Sequence, residues 1–287
     1  MNINKLDQQG KNRCVQEKKT FFAVLWSFLA VASKTLSASN ITTLEEKGTF
    51  LSTDYRTSGF TKGYKSKNVT SFSVAHHAQK LGGQLNVSYV KGDEKASFVS
   101  GGFSFGINDL ISAKFLVGGS SKNRGISPCQ SFSFSVESHC FDRSLMVIPL
   151  IEHREYRNGV KEYLTAIDFV YYFKPFQESE GYMAAQFHLK NASPRLAQLK
   201  SRGMGVGVTY IKPNAYAAEL YTEFGKTFYE NSQVNQRNYP YFLIRPMVDL
   251  PFNDNVVFLM GASYEKTKFY NVREYNVGLK IVLRGGP

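Results

Sequence analysis

His76, His77, His139, His153 and His188 are the side chains best able to exchange protons near neutrality, so chemistry in this chain would start from them. A serine hydrolase built on a strand needs His and Ser two residues apart, so that both leave the same face. No His-x-Ser occurs. An aspartate–histidine protease would show an acidic pair and an Asp/His couple, yet neither Asp-Asp nor Asp-x-His is present. His76 and His77 are adjacent, and adjacent strand residues point to opposite faces, so they cannot ligate one metal together. Glu152-His153-Arg154-Glu155 comes nearest to a metal cluster, but His153 and Glu155 alternate on one face beside Arg154, which predicts a solvated rim network. No Gly-rich phosphate loop, Cys/His zinc spacing or EF-hand loop appears. The reading therefore assigns no catalytic residue, cofactor or metal ligand. In an envelope enzyme acting on lipid or glycan, His153 or His188 would serve as acid/base.

The elements that must carry these residues are strands. Beyond residue 40 no amphipathic helical stretch exceeds about two turns, and apolar and polar residues alternate in segments of about ten. Phe103, Phe105 and Ile107 alternate with Ser104 and Gly106. Phe132, Phe134 and Val136 alternate with Ser131, Ser133 and Ser135. Ile167, Phe169, Tyr171 and Phe173 oppose Ala166, Asp168 and Val170, and Met204, Val206, Val208 and Tyr210 oppose Gly203, Gly205, Gly207 and Thr209. Short turns are expected at Gly92–Lys95, Asn108-Asp109, Arg157–Gly159, Lys212–Asn214 and Pro251–Asp254, where Gly, Asn, Asp and Pro supply the required φ values. Longer connections are expected at about 119–129, 174–181, 191–202, 227–239 and 266–272.

Segments of this length suit a membrane better than a soluble sandwich, because about 9–11 tilted residues cross a bilayer whereas soluble strands average about 5–6. A transmembrane barrel turns its apolar face to lipid and its other face to a polar lumen. Here that other face is small or polar, as at Ser100, Gly102, Ser104 and Gly106. It also holds charge. Glu219 and Glu223 share a face, and Arg245 and Asp249 take the corresponding face of the next strand, where opposite charges pair. With Lys280 and Arg284 of the last segment they form the expected lumen set. Tyr89, Tyr156, Tyr163, Tyr182, Tyr210, Tyr216, Tyr241, Tyr264 and Tyr275 recur at segment ends and predict an aromatic girdle. The expected fold is all-β, a closed antiparallel transmembrane barrel of about 12–14 strands over residues 49–287.

The N-terminus reads as an address. Phe21–Ala32 is an uncharged apolar run preceded by Arg13, Lys18 and Lys19 and followed by small residues. That is the pattern of a secretory signal peptide, here residues 1–38, with cleavage after Ala38 or Ser39 and a short extension over 39–48. As a helix the run spans only about 18 Å, too short for a bilayer core of about 30 Å. Of the formal +12, part belongs to this segment; the remainder holds 29 basic and 21 acidic residues with no basic run of five. Scattered charge of this kind speaks against a nucleic-acid surface. Cys129 and Cys140 bracket one extended segment, about 30 Å apart, beyond the roughly 7 Å a disulfide allows.

Asn276–Leu283 has the form of a C-terminal strand signal for the barrel-insertion machinery, although the chain ends Arg284-Gly285-Gly286-Pro287 rather than in an aromatic residue. From Tyr156-Arg157-Asn158-Gly159 through Asp168–Phe173 the chain resembles the YaiO family of outer-membrane proteins, itself similar to the barrel portions of exopolysaccharide-secretion proteins. The likeness extends over about residues 50–284, through Tyr/Phe-rich hairpins, Gly203-Met204-Gly205 and the terminal Tyr275–Gly278. It implies an outer-membrane envelope role as a conduit or assembly component for surface polysaccharide or small solutes, and it carries over no catalytic residue. The aliphatic final strand departs from the family pattern. A structural or adhesive barrel without transport is the further alternative.

Overall fold

The computed structural model describes residues 48–283 except 62–65, 79, 93–94, 121–127, 157–160, 176–179, 195–200, 214, 230–236 and 269. The signal peptide, the extension up to residue 47 and Arg284 lie outside the described residues. Fourteen strands follow in order: β1 Gly48–Phe60, β2 Lys67–His77, β3 Leu81–Lys91, β4 Lys95–Gly106, β5 Ile111–Ser120, β6 Gln130–Cys140, β7 Leu145–Glu155, β8 Lys161–Phe173, β9 Tyr182–Pro194, β10 Ser201–Lys212, β11 Tyr216–Tyr229, β12 Arg237–Asn253, β13 Val256–Thr267 and β14 Asn271–Leu283. Each pairs antiparallel with its neighbour in sequence, and β1 pairs with β14 from Thr49↔Leu283 to Phe60↔Val272, closing the barrel. Closure is what hydrocarbon demands, since an open edge would leave N–H and C=O groups with no water to satisfy them. The strands run from 10 to 17 residues, enough to cross a bilayer at a tilt.

The alternation sorts the two faces as the sequence predicts. Phe72, Leu85, Val99, Phe103, Val117, Ile151, Val206, Leu220 and Phe224 are exposed on the outside of a closed wall. In water such a surface would aggregate; against acyl chains it is the expected surface. Their strand neighbours point inward, where polar and small positions are interspersed with buried apolar contacts such as Leu150–Leu164–Ala192, Met146–Val170–Ala184 and Val69–Val90.

Several boundaries differ from expectation. β9 runs to Pro194, β11 to Tyr229 and β13 to Thr267, so the connections after them are shorter than the sequence suggests. Pro251–Asn253 lies in β12, where the register shifts, and the turn is Asp254-Asn255. The turn after β6 contains neither Gly nor Pro; Phe141, Asp142 and Arg143 adopt φ of 50°, 51° and 67°, a run that local chemistry does not advertise. Cys129 and Cys140 are both free and flank opposite ends of β6. The girdle needs a correction. Tyr89, Tyr163, Tyr216 and Tyr275 are exposed on the outer face, but Tyr156, Tyr182 and Tyr241 point inward. Strand parity decides this: Tyr241 falls on the same odd positions of β12 as Arg245.

Candidate functional site

The inner face of β8–β13 carries a connected polar network. Asp168 of β8 and His188 of β9 are direct cross-strand partners, with Nδ1 2.7 Å from Oδ1. Gln186 donates to the same carboxylate oxygen at 3.2 Å. Two residues along β9, Lys190 forms an ion pair with Glu223 of β11 and lies 5.4 Å from the Tyr241 ring centroid. Glu223 also accepts hydrogen bonds from Tyr221 at 2.8 Å and Tyr241 at 2.5 Å. Arg245 of β12 donates to Glu219 at 3.0 Å and lies over the Tyr221 ring, 4.9 Å from its centroid. Each of these acids is nearly sealed from water, Glu219 and Glu223 at 4% and Asp168 at 2% exposure, and burying a carboxylate is tolerable only with such partners.

The space for this network comes from β10. Gly203, Gly205 and Gly207 face inward, and a Cβ at Gly205 would strike the Tyr221 hydroxyl, while one at Gly203 would strike that of Tyr241. A bare backbone stripe lets two phenols cross from β11 and β12 toward β9. Glu162, Asp168, Glu219, Glu223, Asp249 and Glu265 point inward from these strands against Lys190 and Arg245, so acids outnumber bases on the described part of this wall.

Of the expected lumen set, Glu219, Glu223, Arg245, Asp249 and Lys280 lie on inward positions. They do not form one site. Glu219 pairs with Arg245 and Glu223 with Lys190, while the Lys280 ammonium acts electrostatically on Asp249 and lies 5.0 Å from the Phe50 ring centroid, with His77 edge-on to that ring at 5.5 Å. Asp249 is half-buried near the end of the barrel where both β1 begins and β14 finishes.

Three features of the inner wall differ from what the sequence predicts. The Asp168–His188 couple is twenty residues apart in sequence and becomes adjacent only through the β8–β9 register. Lys190 shares the inward parity of His188. The third is the Arg154 cluster. Arg154 is 1% exposed, not part of a solvated rim, and its guanidinium holds Glu152 by bonds of 2.5 and 2.6 Å. Glu162, its cross-strand partner, accepts from Tyr156 at 3.5 Å. Burial pushes the Tyr156 phenol well above its ordinary range. His153 and Glu155 point the other way: His153 packs on Tyr163 with ring centroids 4.6 Å apart, and Glu155 meets Lys161 at 3.3 Å. His76 and His77 do part to opposite faces, His76 to Thr49 at 3.0 Å and His77 to Phe50.

Half a barrel away in strand order, β2–β6 present an inner surface rich in short polar side chains, among them Ser71, Ser73, Gln84, Asn86, Ser88, Ser100, Ser104, Ser131, Ser133 and Ser135, with Lys114 and Glu137 among its charged members and a buried Val69–Val90 contact. Its hydroxyls bond across strands, Ser88 to Ser71 at 3.0 Å, and Ser73 meets Ser52 of the neighbouring β1 at 2.5 Å.

A closed wall that is apolar outside, polar inside and long enough to span a bilayer defines an outer-membrane β-barrel, a fold built for the bacterial outer membrane and its lipid. Solved structures agree. A bacterial polysaccharide outer membrane secretin superposes with a TM-score of 0.56 at 7% identity, over 83% of this chain and 99% of that one. The CymD monoaromatic hydrocarbon channel gives 0.53 at 6% identity, over 84% and 90%. Omp33 of Acinetobacter baumannii gives 0.50 at 9% identity, over 83% and 100%. At such identities the likeness is one of fold. No protein-family profile and no curated protein sequence matches the chain.

Proposed function

We propose that this barrel is a porin-like conduit or assembly component for hydroxyl-rich solutes, with surface polysaccharide the favoured class. The observation that carries the reading is the two-walled lumen. The β2–β6 wall offers hydroxyls and amides that exchange hydrogen bonds with a polyol as readily as with water, and the β8–β13 wall offers carboxylates and tyrosines. The resemblance to the YaiO family supports the same reading, as does the shared fold with a polysaccharide secretin. The partner implied for biogenesis is the insertion machinery, reading the terminal strand Asn271–Leu283.

The test is conductance of the purified barrel in a planar bilayer, with neutral and charged oligosaccharides as blockers. Small single-channel steps that neutral oligosaccharides interrupt are expected. A silent bilayer together with no oligosaccharide binding would remove the conduit. A second reading, an envelope enzyme, is favoured by one observation, the buried Asp168–His188 couple, which has the geometry of an oriented general base. Turnover of a lipid or glycan substrate that disappears in His188→Ala would replace the first reading with this one.

A further inference from the structure

The outer face is as informative as the lumen. At the barrel end opposite the start of β1 and the finish of β14, Arg202 of β10, Lys226 of β11, Lys266 of β13 and Arg273 of β14 all point outward and are exposed. Arg202 and Lys226 are direct cross-strand partners. Like charges in that relation repel, so the pair calls for an anion between them. Among the described residues no Asp or Glu lies on the outer face of β10–β14; Glu219, Glu223, Asp249, Glu265 and Glu274 all take inward positions. Elsewhere the pattern is different. Lys161 on β8 is matched by Glu155 at 3.3 Å, and Lys212 at the far end by Glu180 at 3.3 Å. Lys91 and Lys95 also face each other, but Asp93 and Glu94 lie between them in sequence.

Immediately toward the middle of the wall, the same face turns apolar. Met204, Phe224 and Phe242 are successive cross-strand partners, one side-chain step inward from Arg202 and Lys226. Tyr264 and Tyr275 stand one step from Lys266 and Arg273. Aromatic side chains of this kind settle at the headgroup level of a bilayer, which puts the four cations among the headgroups and the Met204–Phe224–Phe242 row against acyl chains. Guanidinium matches a phosphate in a two-point fork, and lysine adds a point charge. We propose that the outer face of β10–β14 is a docking surface for a phosphorylated membrane lipid, its phosphates held by Arg202, Lys226, Lys266 and Arg273 and its acyl chains laid on the apolar row below. A glycolipid bearing two phosphates, as lipid A does in an outer leaflet, fits a patch with two pairs of cations.

The experiment uses the full barrel in phosphatidylcholine nanodiscs containing either bisphosphorylated lipid A or its dephosphorylated counterpart. Lipid retained after extraction into mild detergent is then counted by native mass spectrometry. Retention of the bisphosphorylated form at about tenfold or more over the other is expected, falling toward parity in R202Q/K226Q and unchanged in K80Q/K174Q at the opposite end. Equal retention of the two lipids by the unaltered barrel overturns the proposal, and so does undiminished retention by R202Q/K226Q. Should that variant fail to fold, as read from its mobility on unboiled gels, the two-lipid comparison on the unaltered barrel decides alone.

Discussion

The two halves of the inner wall solve the same problem by opposite means. On β2–β6, short side chains bond sideways to their strand neighbours and stay close to the wall. On β8–β13, long side chains leave the wall: Lys190 crosses the glycine-bare β10 to reach Glu223 two strands away, and the Tyr241 phenol meets the same carboxylate from the neighbouring strand while covering Gly203. A short hydroxyl needs one partner, and water can supply it. A buried carboxylate needs several, and their removal is costly. The network of β8–β13 is therefore the part that ties several strands together, while on β2–β6, apart from Lys114 and Glu137, the hydroxyl contacts are short and local.

The contrast can be broken most severely at Arg154. Arg154→Ala strands Glu152 and Glu162 in the wall, and should cost about 3–5 kcal/mol, read as a large drop in the temperature at which the unboiled band is lost on gels. Gly205→Ala comes next. Its methyl group meets the Tyr221 hydroxyl, and overpacking of this kind costs about 1–3 kcal/mol; Gly205→Ala combined with Tyr221→Phe should recover part of that loss in the same assay. Glu223→Gln leaves Lys190 without its counter-charge, for a loss of about 1–3 kcal/mol in urea unfolding from vesicles. It should also lower any cation preference in reversal-potential measurements, since the wall loses one of its carboxylates. The smallest effect belongs to the other half. Ser71→Ala removes one hydroxyl pair and should cost no more than about 1 kcal/mol. A Ser71 variant as damaging as the Glu223 variant would erase the distinction between the walls.

Much of this was legible from residues alone, and parity is the reason. A strand's two-residue period fixes which side chains share a face, so Glu219, Glu223, Arg245 and Asp249 fell on one surface, and the outward run Phe103, Phe105 and Ile107 on the other. The same arithmetic would have placed Tyr241 inside; position near a segment end outweighed parity and put it in the girdle. The rim network expected around His153 and Glu155 does not include Arg154, whose parity matches Met146 and Leu150. Asp168 and His188 needed more than parity. Their meeting depends on the register across the connection 174–181, which alternation leaves free to slide in steps of two. Which acid meets which base is thus a property of the turns, and turns such as Phe141–Ser144 give no compositional warning.

The seam between the first and last strands sets a timetable for biogenesis. Every other neighbour in the wall is also a neighbour in sequence, so hairpins can form as the polypeptide emerges. That one seam joins residues more than two hundred positions apart, and nothing upstream can substitute for it. Until the final segment arrives, Gly48–Phe60 offers a raw edge to any passing extended peptide. A chain stopped one hairpin early would be a sticky ribbon rather than a smaller pore, and the cell must shelter the whole length until its end is made.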